Sequence, residues 1–297
     1  QAGRAIVRTW PLRGTLHIVA AEDVRWLLAL LAPRVIAQSA GRYRQLELDD
    51  ATFARSKEIF ANALQGGKQF TRDEMLHVLE QANIATTGQR GYHLLGRAAQ
   101  DGLICFGAPQ GKQQTFTLLD EWIPLPTSLT HDAALTEPAR RYFASHGPAT
   151  LHDLIRWAGL TTTDAKIGVT AAKGLRQETV DGCTYWLAVD APVQHEEAAT
   201  AYLLPGFDEY LLGYGDRSAV LDPAHAQRIC PGGNGVFSST IVIDGRVTGT
   251  WKSTLRKNAL VIELAPCRAF TPTENQAIGA EADRYGQFLG LPVVLLY

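Results

Sequence analysis

The residues best suited to chemistry fall in polar rows. Gln89, His93, Arg97 and Gln100 recur at three- and four-residue steps, so on a helix they stand above one another, with Arg90 beside them. Amide, imidazole and guanidinium groups in such a row are the donors and acceptors that read base edges and grip phosphates. The same row would also make an ordinary solvated helix face. Lys112 sits within the polar run Gly107-Ala-Pro-Gln-Gly-Lys-Gln-Gln114, where its ammonium suits phosphate contact or plain solubility. Lys166, Thr170 and Lys173 form a later row with the same two readings. Asp208 and Glu209 are adjacent carboxylates, and neighbouring positions on a strand point apart, so a structural role is expected of them. Gly232-Gly-Asn-Gly235 is followed by no Gly-Lys-Ser/Thr and reads as a surface turn, not a phosphate loop. Cys105, Cys183, Cys230 and Cys267 form no Cys-x-x-Cys pair, which argues against a zinc site. Buried or idle thiols in a reduced, cytoplasmic protein are expected, with no metal and no cofactor.

These residues need elements to hold them. Thr71-Arg-Asp-Glu74 is a capping-box pattern, and Met75, Leu79 and Ala82 follow as an apolar stripe, so a helix is expected from Thr71. A second helix is expected over Thr87–Gln100, with Tyr92, Leu95 and Ala99 on its apolar side. Strands at Leu103–Phe106 and Thr115–Leu118 then enclose the loop that carries Lys112. Helix, turn, helix and polar-tipped hairpin is the plan of a winged helix-turn-helix, whose second helix enters the DNA major groove. The order recurs. Ala133–Ser145 is helical, Thr150 opens another helix carrying Leu151, Leu154, Ile155 and Ala158, and Gly159 ends it. Thr161–Lys173 is the partner helix, and Asp181-Gly182 is a hairpin turn between Leu175–Val180 and Cys183–Leu187.

Upstream, Ala5–Trp10 and Thr15–Val19 are β-compatible around Pro11, Glu22–Leu31 is a short helix, Arg42–Leu48 is loop-like, and Asp50–Leu64 is an amphipathic helix. Downstream, a hairpin around Asp244-Gly245, a strand at Ala259–Leu264, a helix at Thr273–Phe288 capped by Thr273 and Gln276, and a strand at Leu291–Tyr297 make a small domain rich in antiparallel pairing. The fold class is therefore α+β: tandem winged helix-turn-helix modules followed by an antiparallel α+β domain. The expected divisions are 1–48, a remnant wing and helix; 49–126 and 127–190, winged helices; and 191–297, the C-terminal domain. Met75 is the sole methionine, and the chain opens almost directly on a strand, so an N-terminal portion of the natural protein is expected to precede Gln1.

The 297 residues are 46% apolar and 20% charged, as in a globular protein with a real core. The formal net charge of −2 counts mildly against nucleic acid, although the placement of Lys and Arg matters more than their sum. No apolar run is long enough to span a membrane, and no signal peptide is visible.

Several strings together are similar to a known family: Arg-Thr-Trp-Pro-Leu-Arg-Gly-Thr-Leu-His at 8–17, Leu-Leu-Pro-Gly-Phe-Asp-Glu-Tyr at 203–210, Gly-Asp-Arg at 215–217, and Asp-Gly-Arg-Val-Thr-Gly-Thr-Trp-Lys at 244–252. The chain resembles, over nearly its whole length, the bacterial tandem winged-helix proteins that include AlkZ-like DNA glycosylases. The resemblance implies three winged helices in a concave arrangement around duplex DNA. It also implies excision of alkylated or cross-linked bases by hydrolysis of the N-glycosidic bond. It implies a catalytic Gln-x-Gln or Gln-x-Asp pair upstream of the Arg-Gly-Thr-Leu-His string, which here falls before Gln1. This chain contains neither pattern there, so its catalytic residues stay unassigned. Arg13, Thr15 and His17 are the cleft candidates, and His17 suits a structural role near a strand end equally well. Duplex DNA is the expected partner, bound by a monomer without a small-molecule cofactor. A non-catalytic winged-helix DNA-binding protein, such as a transcription regulator, is the second reading, and a protein-interaction scaffold the third.

Overall fold

The computed structural model describes residues 5–123, 129–191, 200–233 and 235–297. The expected connector at 123–127 and linker at 190–197 lie mostly outside these residues, as does Asn234 of the glycine-rich turn. The chain divides into two units, Gln1–Ser145 with Ala158–Leu175, and His146–Trp157 with Arg176–Tyr297.

The first unit opens with an antiparallel hairpin, β1 (Ile6–Leu12) and β2 (Thr15–Ala20). Arg13 and Gly14 both have positive φ, 51° and 70°, which is the two-residue turn whose twist matches a hairpin. Pro11 does not break β1 as the sequence suggests. The register shifts between Thr9 and Leu12, and such an irregularity tolerates a residue without an N–H. Helix α1 runs from Val24 to Gln45, so it takes in most of the short helix expected at Glu22–Leu31 and the first four residues of the loop expected at 42–48. Pro33 lies inside the helix, where Leu27, Leu28, Leu31 and Ala32 before it and Tyr43 after it are buried, and that tertiary packing carries the helix through.

Helix α2 (Asp50–Leu64) is capped by Asp49, whose carboxylate accepts the Thr52 N–H at 2.8 Å. After β3 (Phe70–Thr71), α3 (Arg72–Gln81) starts with both bonds of the expected capping box at Thr71 and Glu74. Met75 and Leu79 are fully buried, whereas Ala82 is the half-buried C-cap. Helix α4 (Arg90–Gln100) starts three residues later than expected. Its buried side is Gly91, Leu94, Leu95, Ala98 and Ala99; Tyr92, expected on the apolar side, is 49% exposed. Strands β4 (Ile104–Phe106) and β5 (Thr115–Leu118) join β3 in a sheet ordered β3-β5-β4, and the turn α5 (Leu119–Trp122) follows. Trp10 of β1 lies against this sheet, its ring centroid 4.9 Å from that of Phe106.

Helix α6 (His131–His146) is tied to the start of α1: Arg141 donates to both carboxylate oxygens of buried Asp23, which also accepts the Trp26 indole N–H at 3.0 Å. Helix α7 (Leu151–Ala158) belongs mostly to the second unit, and α8 (Thr162–Ala171) to the first. Gly168 of α8 has no room for a side chain because the Leu135 carbonyl of α6 lies against it. Helix α8 ends two residues short of the expected Lys173.

In the second unit, β6 (Leu175–Val180) and β7 (Cys183–Ala188) flank Asp181-Gly182, with φ of 51° and 76°, as expected. Strand β8 (Ala201–Leu204) and the turn α9 (Glu209–Leu212) follow, then a second short turn, α10 (Ala226–Ile229). Strands β9 (Thr240–Ile243), β10 (Arg246–Leu255) and β11 (Leu260–Pro266) pair in antiparallel fashion. Helix α11 spans Pro272–Leu289 and is capped by Thr271 and Glu274, two residues earlier than expected, because Pro272 fits the first helical position. Strand β12 (Val293–Leu296) closes a five-stranded sheet ordered β12-β11-β10-β9-β8 and pairs parallel to β11. Of the four free thiols, Cys105 is buried, Cys183 is exposed and Cys230 and Cys267 are half-buried.

Candidate nucleic-acid interface

The cleft and DNA-contact candidates belong to the first unit, on its hairpin, in its β4–β5 loop, and on or beside its helices α4 and α8. Arg13 occupies the β1–β2 turn, and its side chain runs beside Gly159, where an added Cβ would lie 3.2 Å from Arg13 Cγ. Gly14 packs against Val35 of α1, close enough that a Cβ would fall 2.8 Å from Val35 Cγ1. Thr15 and His17 share one face of β2, as alternate residues must. Thr15 Oγ1 lies 2.7 Å from His17 Nε2 and donates to the Leu12 carbonyl at 3.0 Å.

On α4 the sequence row divides into different environments. Gln89, the N-cap residue, is exposed and accepts from Arg42 of α1 at 2.7 Å. Arg90 is bound to backbone: it donates to the carbonyls of Ala85 at 2.9 Å and Glu47 at 3.1 Å, and to that of Leu46. Its guanidinium therefore fastens the start of α4 to the end of α1. His93 lies edge-on to Tyr43, with centroids 5.6 Å apart, and burial, reinforced by the Arg42 charge, pushes its imidazole below the usual pKa. At neutral pH it is a neutral donor and acceptor, suited to base edges more than to phosphate. Arg97 bonds Asp101 at 3.0 Å and covers the Phe53 ring at 4.9 Å. Gln100 is half-buried, and its Oε1 has no hydrogen-bond partner among the described residues. The outward side of α4 thus combines Gln89, Tyr92 and Gly96, where a Cβ on Gly96 would meet only open space.

The β4–β5 loop is a tight hairpin extension. Gln110 and Gln113 exchange backbone hydrogen bonds of 2.9 and 3.0 Å around Gly111-Lys112, so Lys112 sits exposed at the tip. Arg8 of β1 braces the loop by bonding the side chain of Gln114 and covering Phe106 at 5.0 Å. On α8, Lys166 and Thr170 are exposed one helical turn apart, and Lys173 is exposed in the turn that follows.

Sequence reasoning passed over Thr9, Arg8 and Arg42. Thr9 is fully buried opposite His17, and its hydroxyl has no hydrogen-bond partner among the described residues. The cross-strand register that places it opposite His17 is not legible from one strand alone. In the second unit, Asp208 and Glu209 do not lie on a strand. Asp208 caps α9 through the Tyr210 N–H at 2.9 Å, and Glu209 accepts the Trp157 indole N–H at 2.9 Å with His146 Nε2 at 3.4 Å. Among the described residues no group of three His, Cys, Asp or Glu could hold a metal ion, and no helix is long and apolar enough to cross a membrane.

Comparison with known proteins gives consistent results. A solved structure, that of the Streptomyces sahachiroi DNA glycosylase AlkZ, superposes with a TM-score of 0.78 over 98% of this chain and 82% of its own, at 24% sequence identity. The likeness shows that the two share one mixed α+β fold. A characterised relative, an interstrand DNA cross-link repair glycosylase from Streptomyces sahachiroi, is 30% identical over 278 residues, covering 84% of this chain and 71% of the relative. The family model described as DNA glycosylase AlkZ-like matches residues 1–288, and the chain belongs to that family.

Proposed function

We propose that this protein is a DNA-repair glycosylase that binds duplex DNA and hydrolyses the N-glycosidic bond of alkylated or cross-linked bases. It acts as a monomer in the cytoplasm without a cofactor. The observation that carries this reading is the match of the AlkZ-like family model along residues 1–288, a span that contains every string quoted above. In this reading α3, α4 and the β4–β5 hairpin form one winged helix within 49–126, and α7, α8 and the β6–β7 hairpin form a second within 127–190. The β1–β2 hairpin and α1 belong to a further module in 1–48, and 191–297 is the C-terminal α+β domain.

The exposed cations and polar groups take the phosphates: Lys112 at a wing tip, and Lys166, Thr170 and Lys173 on and after a helix. Gln89 and His93 contribute to base edges, whereas Arg90 and Arg97 act by holding α4 in place. Arg13, Thr15 and His17 stand at the cleft. Incubating the protein with alkylated duplex DNA, and separating freed bases by chromatography, tests the reading. Release above the uncatalysed rate supports it, and tight binding without release counts against it.

A further inference from the structure

Helix α4 contains two glycines, Gly91 and Gly96, and they differ in kind. A Cβ on Gly91 would lie 2.7 Å from Leu76 Cδ2 and 3.2 Å from the Thr86 carbonyl oxygen, so packing against α3 and the turn after it forbids a side chain there. Gly96 has no such reason, because a Cβ on it would meet nothing within 4 Å. Glycine is less favourable than alanine inside a helix, and nothing among the described residues offsets that loss at Gly96.

Steps of three and four residues put Gln89, Tyr92, His93, Gly96 and Gln100 on one side of α4. Leu94, Leu95, Ala98 and Ala99 occupy the opposite, buried side. Tyr92 is 49% exposed, its ring edge-on to that of His93 with centroids 5.2 Å apart. Gly96 therefore leaves a notch one helical turn beyond the Tyr92 ring, between it and Gln100. This side of the helix carries no carboxylate, and the Arg42 guanidinium stands at its start, donating to Gln89 at 2.7 Å. Neutral and cationic groups around a notch in a helix suit a polyanion.

We propose that one strand of duplex DNA crosses α4 at the Gly96 notch. Its sugar–phosphate backbone lies against the helix backbone at Gly96, and the Tyr92 ring packs on a deoxyribose. The inference rests on the duplex-binding reading above and adds to it the point of closest approach. Gly96 acts through the side chain it lacks, since only glycine lets a ligand come this near to the main chain.

The test pairs urea denaturation with fluorescence-anisotropy titration of an undamaged labelled duplex at several salt concentrations. Gly96→Ala is expected to raise the urea midpoint, as alanine does at an open helix position. The same variant should bind duplex about 10-fold more weakly, because its methyl group meets the strand, and Gly96→Gln more weakly still. Tyr92→Ala should cost about 10-fold in affinity, and Tyr92→Phe should retain it. The slope of log affinity against log salt should be unchanged in Tyr92→Ala, because a phenol ring releases no counterion. Stability and affinity moving in opposite directions in Gly96→Ala is a result that a purely structural glycine does not give. Wild-type affinity in both Gly96 variants, or a lowered urea midpoint in Gly96→Ala, overturns this inference and leaves duplex binding standing. So does a wild-type dimer, seen by sedimentation, that Gly96→Gln dissociates, which would put a second copy of the chain in the notch. A wild-type protein without salt-dependent affinity for duplex overturns the duplex-binding reading and the notch with it.

Discussion

Arg90 Nη1 donates to the carbonyl of Glu47 at 3.1 Å, joining the first turn of α4 to the residue just past the end of α1. With the bonds to Ala85 and Leu46, the guanidinium meets three carbonyls from two chain segments. Arg90→Ala is expected to lower unfolding free energy by about 1–3 kcal/mol, the cost of leaving charged-donor bonds unmade. Urea denaturation measures this. An unchanged midpoint combined with a large loss of DNA affinity would show that Arg90 contacts DNA directly.

Lys112, Lys166 and Lys173 are exposed side chains assigned to phosphate. Each replacement by Ala should weaken duplex binding equally for all sequences. Each should also reduce the slope of log affinity against log salt by about 0.9, the counterion release of one phosphate contact. Titrations at several salt concentrations decide it; three unchanged slopes would place the DNA elsewhere.

Glu137 links α6 to itself and, through Arg141, to Asp23 at the start of α1. Hydrogen bonds and charge from Arg140 and Arg141 hold its carboxyl at about 2, against an ordinary value of 4.5. A depressed folded pKa means that the stabilisation is fully present above 4.5 and is lost as pH falls from there toward 2. With solvent screening of the partly exposed arginines, the amount is about 1 kcal/mol. Thermal melts between pH 6 and 3 should therefore fall less steeply for Glu137→Gln than for the wild type, and parallel curves would rule the linkage out.

Gly14 has φ of 70°, and a Cβ there would press on Val35 Cγ1. Gly14→Ala should destabilise the protein by about 1–3 kcal/mol, from the left-handed backbone and the crowding together. Because the same turn positions Thr15, base release should fall as well. A variant with full stability and full activity would detach the turn from the site.

Elements with local signatures were legible from sequence. The Thr71 and Glu74 capping box, and the Asp181-Gly182 and Asp244-Gly245 turns, depend on neighbouring residues and occur where expected. Features set by distant packing were not. Helix α1 passes through Pro33 because its flanking face is buried, and the polar row on α4 is divided by Tyr43, Phe53 and the α1 carbonyls that receive its side chains. At the candidate site the Arg-Gly-Thr-Leu-His string was visible, but Thr9 joins it only through cross-strand register.

The most direct test of the account is the single-turnover rate at which the protein, in excess, frees one alkylated base from a defined duplex. The account predicts a rate well above that of the same duplex alone, falling steeply as salt rises. A duplex that is fully bound yet loses its base no faster than in buffer would contradict it.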